Sequence, residues 1–232
     1  MRWTGDYGFL LSSLVIKDFK IRYRGMSLGI FWSLLNPLVM MGILTLVFHK
    51  LFPNPNIPRF AVYVLCGIIP YNFFTQAMLT GATSLTDNAG LMRRVPVPRT
   101  VFPVAGVLSV LTHFVIQIVL MIAVVLILGI APNPMWGWLA VVWLLLIALL
   151  CGVSLMTSAL NLFIRDTRYL IESANLIFFW LTPVFYDDRI VAEDFQTLYN
   201  LSPITIAVKM HRQILLGASA PTWKQLSVLG IE

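Results

Sequence analysis

His113 and Gln117 stand one helical turn apart in a stretch, residues 100–164, that holds no Asp, Glu, Lys or Arg. An imidazole and an amide on one face could relay a proton or hold a polar ligand. They could equally hydrogen-bond to each other or to neighbouring helices, the commoner use of polar side chains in apolar helices. No carboxylate pair accompanies them, and Glu172 lies close to the edge of an apolar segment. The phosphate-cradling pattern G-x-x-x-x-G-K-[ST] is absent and no Gly-Lys pair occurs, which excludes nucleotide hydrolysis by that route. H-E-x-x-H, Cys-x-x-Cys and G-x-S-x-G are also absent. Cys66 and Cys151 lie in apolar segments without ligand spacing and read as small buried hydrophobes. Any transport by such a chain needs an external motor or a passive pore.

The elements that must position these residues are set by a membrane. The chain is 59% hydrophobic and 11% charged, against roughly 25% charged in an ordinary soluble domain. Ala131-Pro132-Asn133-Pro134 divides the charge-free stretch into halves that each suffice to cross, since about 20 residues at 1.5 Å cover a core of about 30 Å. The pattern predicts an all-α helical bundle of five membrane spans at 28–48, 60–86, 104–130, 137–164 and 169–186. Asn36-Pro37 should bend the first. The second carries Pro70, Asn72, Thr75, Gln76 and Thr80, a polar face expected to meet protein or a wet path. The fifth is short enough to suit a re-entrant helix as well.

Before the first span, Lys17, Lys20 and Arg24 recur at spacings of three and four beside Val15, Phe19 and Tyr23. This predicts an amphipathic helix within residues 1–25 lying in the membrane interface. Two connections are cationic: 87–99, with Arg93, Arg94 and Arg99 around an extended Val95-Pro96-Val97-Pro98 turn, and 165–168, with Arg165, Asp166 and Arg168. The proline-rich loop 53–59 carries less charge and the Pro132/Pro134 turn none, so the positive-inside rule places the N-terminus in the cytoplasm. The same rule accounts for the net charge of +6 without nucleic acid. No cleaved signal peptide is expected. Residues 187–223 form an outer segment, in which Ser202-Pro203 starts an amphipathic helix over Ile204, Val208, Ile214 and Leu215 that stops at Gly217. Trp136, Trp138 and Trp223 near loop ends read as interface anchors.

The run KDFKIRYRGMSLGIFWSLLNPL at 17–38 is very similar to the opening of permease subunits of ABC-2 type polysaccharide and polyol-phosphate exporters. CGIIPYNFF at 66–74, LMRRVPVPRTVFP at 91–103, FIRDTRYL at 163–170, LTPVFY at 181–186 and NLSPITIAVKMHRQILLG at 200–217 follow in the family's order. The resemblance implies an inner-membrane exporter of O-antigen, capsule or teichoic-acid chains, with one ABC-2 type domain over 1–232. Family members have a sixth span; residues 224–232 look like its start, so the last span is expected to be cut off.

By the same resemblance, the partners are a second copy of the chain, two nucleotide-binding ATPase subunits, membrane lipids and a lipid-linked glycan. The chain itself would carry no cofactor, with ATP and Mg bound by the partner. Coupling to the ATPase would fall to Lys17, Lys20 and Arg24, to Arg93, Arg94 and Arg99, and to Arg165, Asp166 and Arg168. Sugars stack their C–H faces on aromatic rings, which nominates a path lined by Phe31 and Trp32, by Tyr63, Tyr71, Phe73 and Phe74, and by Phe178, Phe179, Trp180, Phe185 and Tyr186. The outer segment 187–217 would gate the exit. Ring anchoring and core packing compete with the path role of the aromatics, and topology alone with the coupling role of the cations. An ABC-2 permease for amphipathic drugs or lipids, and a membrane scaffold without transport, stand as rival readings.

Overall fold

The computed structural model describes residues 5–51, 57–95 and 97–230. Among them there is no strand. The helices are α1 (Tyr7–Tyr23), α2 (Phe31–Thr45), α3 (Phe60–Asp87), α4 (Ala89–Arg94), α5 (Val101–Ile127), α6 (Trp138–Phe163), α7 (Thr167–Leu181), α8 (Glu193–Leu201), α9 (Pro203–Leu215) and α10 (Trp223–Gly230). A π-helical stretch, Leu46–Leu51, prolongs α2, and a 3-10 turn, Pro134–Gly137, leads into α6. Four stretches are long and apolar enough to cross a bilayer: Phe31–Phe48, Phe60–Arg94, Val101–Ile127 and Pro134–Phe163. The chain is therefore a multi-pass helical membrane protein.

These four match the first four predicted spans. The fifth prediction meets α7, which has 15 residues and is not among the four. Most of the proline-rich loop 53–59 lies outside the described residues, as do Arg2, Pro96 and the last two residues of the expected sixth span.

The bundle is built around α3. Of its apolar window 72% is buried, against 11% for Phe31–Phe48, 33% for α5 and 28% for α6. Part of the polar face predicted for this span meets protein: Gln76 Oε1 accepts from Arg22 at 3.0 Å, and next to it the Thr75 backbone carbonyl accepts from Asn175 Nδ2 at 3.4 Å. Helices approach this closely because α3 offers glycine at two crossings. A Cβ at Gly81 would lie 2.4 Å from the Cβ of Ser154 on α6, and one at Gly67 would lie 2.8 Å from the Arg212 guanidinium and 3.1 Å from the Val184 carbonyl. Phe73 of α3 stacks on Phe114 of α5 with centroids 4.4 Å apart.

Two short helices were not anticipated. Within the connection 87–99, Ala89–Arg94 forms α4, and Val95 after it is extended as expected. Ala, Leu, Met and Arg are good helix formers and the prolines act only beyond them. Glu193–Leu201 forms α8, which no pattern in the outer segment had indicated. Elsewhere the local chemistry holds. Pro203 occupies the first turn of α9, where its missing N–H costs nothing. Ser202 stands at the cap position without a side-chain bond, and its carbonyl accepts from Ile206 N–H at 3.1 Å. Pro37 is buried within α2, which continues past it. α10 packs on α6, with Gly230 against Leu145.

Candidate coupling face and transport path

α1 starts at Asp6, whose carboxylate accepts from Gly8 and Phe9 N–H at 2.8 and 3.3 Å, a cap that also suits the helix dipole. Leu10, Leu11 and Leu14 then pack on Leu85, Val101, Phe102 and Ala105, so α1 rests where α3 ends and α5 begins. Lys17 closes this joint. Its ammonium donates to Asn88 Oδ1 at 2.7 Å and pairs with Asp18 at 3.1 Å, while Asn88 Nδ2 donates to the Ser84 carbonyl at 2.8 Å. Lys20 and Arg24 stay exposed, as do Arg93 and Arg94 on α4 and Arg99 before α5.

Arg165, Asp166 and Arg168 are exposed at the α6–α7 turn. Arg168 pairs with Glu172 at 3.0 Å, and that carboxylate, with a weaker contribution from Asp87 at the end of α3, raises the pKa of its guanidinium. Ser154 of α6 crosses α3 at Gly81 and Asn175 of α7 meets it at Thr75, so the turn between α6 and α7 lies toward the Asp87 end of α3, where α1 rests. Three distant stretches of sequence thus bring all nine nominated coupling residues to one end.

The tip of α1 is tied to the spans. The Tyr23 hydroxyl is bonded to Ser33 Oγ of α2 at 2.5 Å and to His113 Nδ1 of α5, and Ser33 Oγ lies 3.0 Å from the same nitrogen. Gln117 Nε2 donates to the Ser33 carbonyl at 3.2 Å. His113 and Gln117 therefore bond to neighbouring helices and not to each other, the packing role of the two weighed from sequence. Asn88, Ser33, Gln76 and Tyr23 complete these links.

The nominated path aromatics divide into three sets. Phe31, Trp32 and Trp180 are 65%, 48% and 63% exposed. Phe73 is buried inside the bundle, on Phe114. The remaining rings knit α7 and the strap 182–186 to α3 in antiparallel order. Tyr71 bonds to the Asn175 carbonyl and packs edge-on to Phe179. Phe74 meets Phe178, and Phe185 lies among Phe48, Phe179, Trp180 and Tyr186. The Tyr63 hydroxyl donates to the Tyr186 carbonyl at 2.7 Å. With its start toward the Asp87 end of α3, Asn175 beside Thr75 and Tyr186 beside Tyr63, this segment runs the length of α3.

At the end away from α1, α9 is fastened by two side chains with no counterpart in the sequence reading. His211 is fully buried, accepts from Trp143 Nε1 at 2.9 Å and bonds the Ala207 carbonyl through Nδ1 at 2.7 Å, which makes it the neutral Nδ1–H tautomer. Burial pushes its pKa down to about 4 against the pull of Ala207, and Arg212 lowers it further. Arg212 donates through Nε to the Tyr63 carbonyl at 3.1 Å and through Nη2 to the Val184 carbonyl at 2.8 Å, over the Tyr63 ring at 3.4 Å. Beside it Lys209 pairs with Asp188 at 2.7 Å. Burial pushes the Asp188 carboxyl up, but the bonded Lys209 outweighs it and holds the pKa below the usual range. Among the described residues no group of three His, Cys, Asp or Glu could hold a metal.

A profile of the family described as ABC-2 type transporter matches residues 10–216. The chain belongs to that family. It is 31% identical over 230 residues to the O-antigen export system permease protein RfbA of Myxococcus xanthus, spanning 97% of this chain and 86% of that one. With the RfbA permease of Klebsiella pneumoniae it shares 27% over 228 residues, 97% and 87% of the two chains. With the polysialic acid transport protein KpsM of Escherichia coli the identity is 22% over 211 residues, 89% and 81% of the two chains. This ABC-2 chain is thus a membrane component of a transporter, and the sets described above are its candidate working parts.

Proposed function

We propose that the chain is the permease subunit of an ATP-driven exporter that moves a lipid-linked polysaccharide across the bacterial inner membrane. The observation that carries the mechanism is the collection of nine nominated residues at one end, on and around a helix bolted to three spans. The relatives named for O-antigen and polysialic acid transport support the cargo class. The α1 end is cytoplasmic in this reading. There, two ATPase subunits dock against α1, α4 and the 165–168 turn, binding ATP and Mg themselves. Their closure shifts α1, and Lys17, Arg22 and Tyr23 hand that shift to α3, α2 and α5.

α7 with the strap 182–186 is the fifth crossing, since together they run the length of α3. A second copy pairs through outward apolar faces. On α2, Phe31, Leu35, Val39 and Ile43 recur every fourth residue at 65%, 39%, 47% and 50% exposure. Phe31, Trp32 and Trp180 offer rings to the glycan at the opening between copies, and α8 and α9 gate its exit. Proteoliposomes holding the protein and its ATPase test this: ATP-dependent movement of a lipid-linked glycan is expected. Transport of a free lipid or drug in its place would refute the cargo assignment.

A further inference from the structure

At the end of the bundle away from α1, a cavity of about 1110 Å³ opens between the head of α3, α8, α9 and α10. Its lining is unbalanced in charge. Arg59, Lys209, Arg212 and Lys224 face Asp187 and Asp188. Lys209 is already matched by Asp188 at 2.7 Å. Arg212 is only 8% exposed, and it donates to the carbonyls of Tyr63 and Val184, with no carboxylate in ion-pair contact among the described residues. A guanidinium has five N–H donors, of which these bonds use two. A buried cation lacking an acid is costly, and an arriving anion would offset that cost.

The uncharged part of the lining narrows the class of anion. Gln196, Thr197 and Asn200 on α8 supply amides and a hydroxyl, with Asn200 Oδ1 accepting from Lys209 at 2.8 Å, while Gln225 opposite donates to Gln213 Oε1 at 3.1 Å and the pair forms a fixed polar wall. Such groups suit sugar hydroxyls, whereas a bare phosphate or lipid headgroup needs only cations. The volume exceeds the usual small-molecule pocket of about 300–1,000 Å³ and has room for more than one sugar ring. Arg59 stands at the rim in a left-handed conformation, φ 54°, a backbone state that costs energy for any residue but Gly and is best tolerated by Asn.

We propose that this cavity binds a sugar unit carrying a carboxylate or phosphate, as part of the glycan leaving the transporter. The inference rests on the reading above that this end is the outer one and that the cargo is a polysaccharide. Arg212 meets the acid group from within, Arg59 and Lys224 from the rim, and the α8 amides take hydroxyls. Because α8 and α9 form the walls, occupancy would bias the position of the gate.

The test uses the full chain in nanodiscs of zwitterionic lipid, with a hyaluronan hexasaccharide as the acidic probe and chitohexaose as the neutral one. The expected result is at least tenfold tighter binding of the acidic probe, weakening as salt rises. Arg59→Asn with Lys224→Gln should weaken it about tenfold at an unchanged melting temperature. Arg212→Lys, which keeps the charge, should retain more binding than Arg212→Gln. Equal binding of the two probes, or none of either, overturns the proposal. So does displacement of the hexasaccharide by phosphatidylglycerol, which would make the occupant a lipid. Glycan export measured in proteoliposomes separates the two readings: export without probe binding sinks this site alone, whereas absent export sinks the function above.

Discussion

Gly81→Ala probes the crossing on which the bundle closes. The added Cβ would lie 2.4 Å from the Ser154 Cβ and 2.1 Å from its hydroxyl, whereas carbon atoms rest at about 3.5–4.0 Å. α3 and α6 must then part by about 1 Å or more, or one must twist. Overpacking of this kind costs about 1–3 kcal/mol, and alanine returns about 0.8–1.0 kcal/mol of helix propensity. The expected net loss is about 1 kcal/mol, roughly fivefold in the unfolding equilibrium. Adding Ser154→Gly restores one side chain per crossing. That second change gives up a 3.5 Å contact to the Ala77 carbonyl and about 0.5 kcal/mol of helix propensity, which the alanine's gain on α3 offsets, so the double variant should return to within about 0.5 kcal/mol of the parent. SDS titration of the purified protein in mixed micelles, followed by circular dichroism, measures all three differences. A single variant as stable as the parent, or a double variant as weak as the single, refutes the close α3–α6 contact.

His211 should make stability depend on pH. Its folded pKa of about 4 lies below the ordinary 6.5, so the folded state binds fewer protons, and the contribution is full above about pH 6.5 and lost as pH falls toward 4. Melting temperature from pH 8 to 4 checks this, and His211→Gln should flatten the profile across that window. Tyr23→Phe removes the hydroxyl shared with Ser33 and His113. It should cost about 1 kcal/mol and lower the glycan exported per ATP hydrolysed, while leaving ATPase binding intact.

Membrane residence and four of the spans were legible because charge disappears over lengths that only a bilayer explains. A protein contact for α3 was legible too, in Gln76, since a polar face in lipid must find protein or a wet path, whereas its central place in the bundle was not. α4 and α8 were not, because six and nine residues are too few for periodicity to speak against flanking prolines and mixed polarity. Within the candidate sites, residue type alone did not divide the aromatics. Phe73 and Phe74 are adjacent, yet one stacks inside on α5 and the other meets α7. Arg212 was hidden among the cations of a long outer segment. Its partners are backbone carbonyls at Tyr63 and Val184, and a carbonyl leaves no signature in a sequence.

The central position of α3 has a consequence for how the protein is made. It is the least apolar of the four long stretches and the most enclosed, yet α5 and α6, which enclose it, are synthesised after it. While the ribosome is still translating them, Gln76 can already meet Arg22 of α1, but the side of α3 that Ser154 of α6 and Asn175 of α7 will cover has no final neighbours, and lipid is a poor substitute. The nascent helix is best sheltered by the insertion machinery until residue 181 has emerged. Cross-linking from position 75 should therefore capture that machinery from arrested chains ending before α7 and release it once α7 is complete.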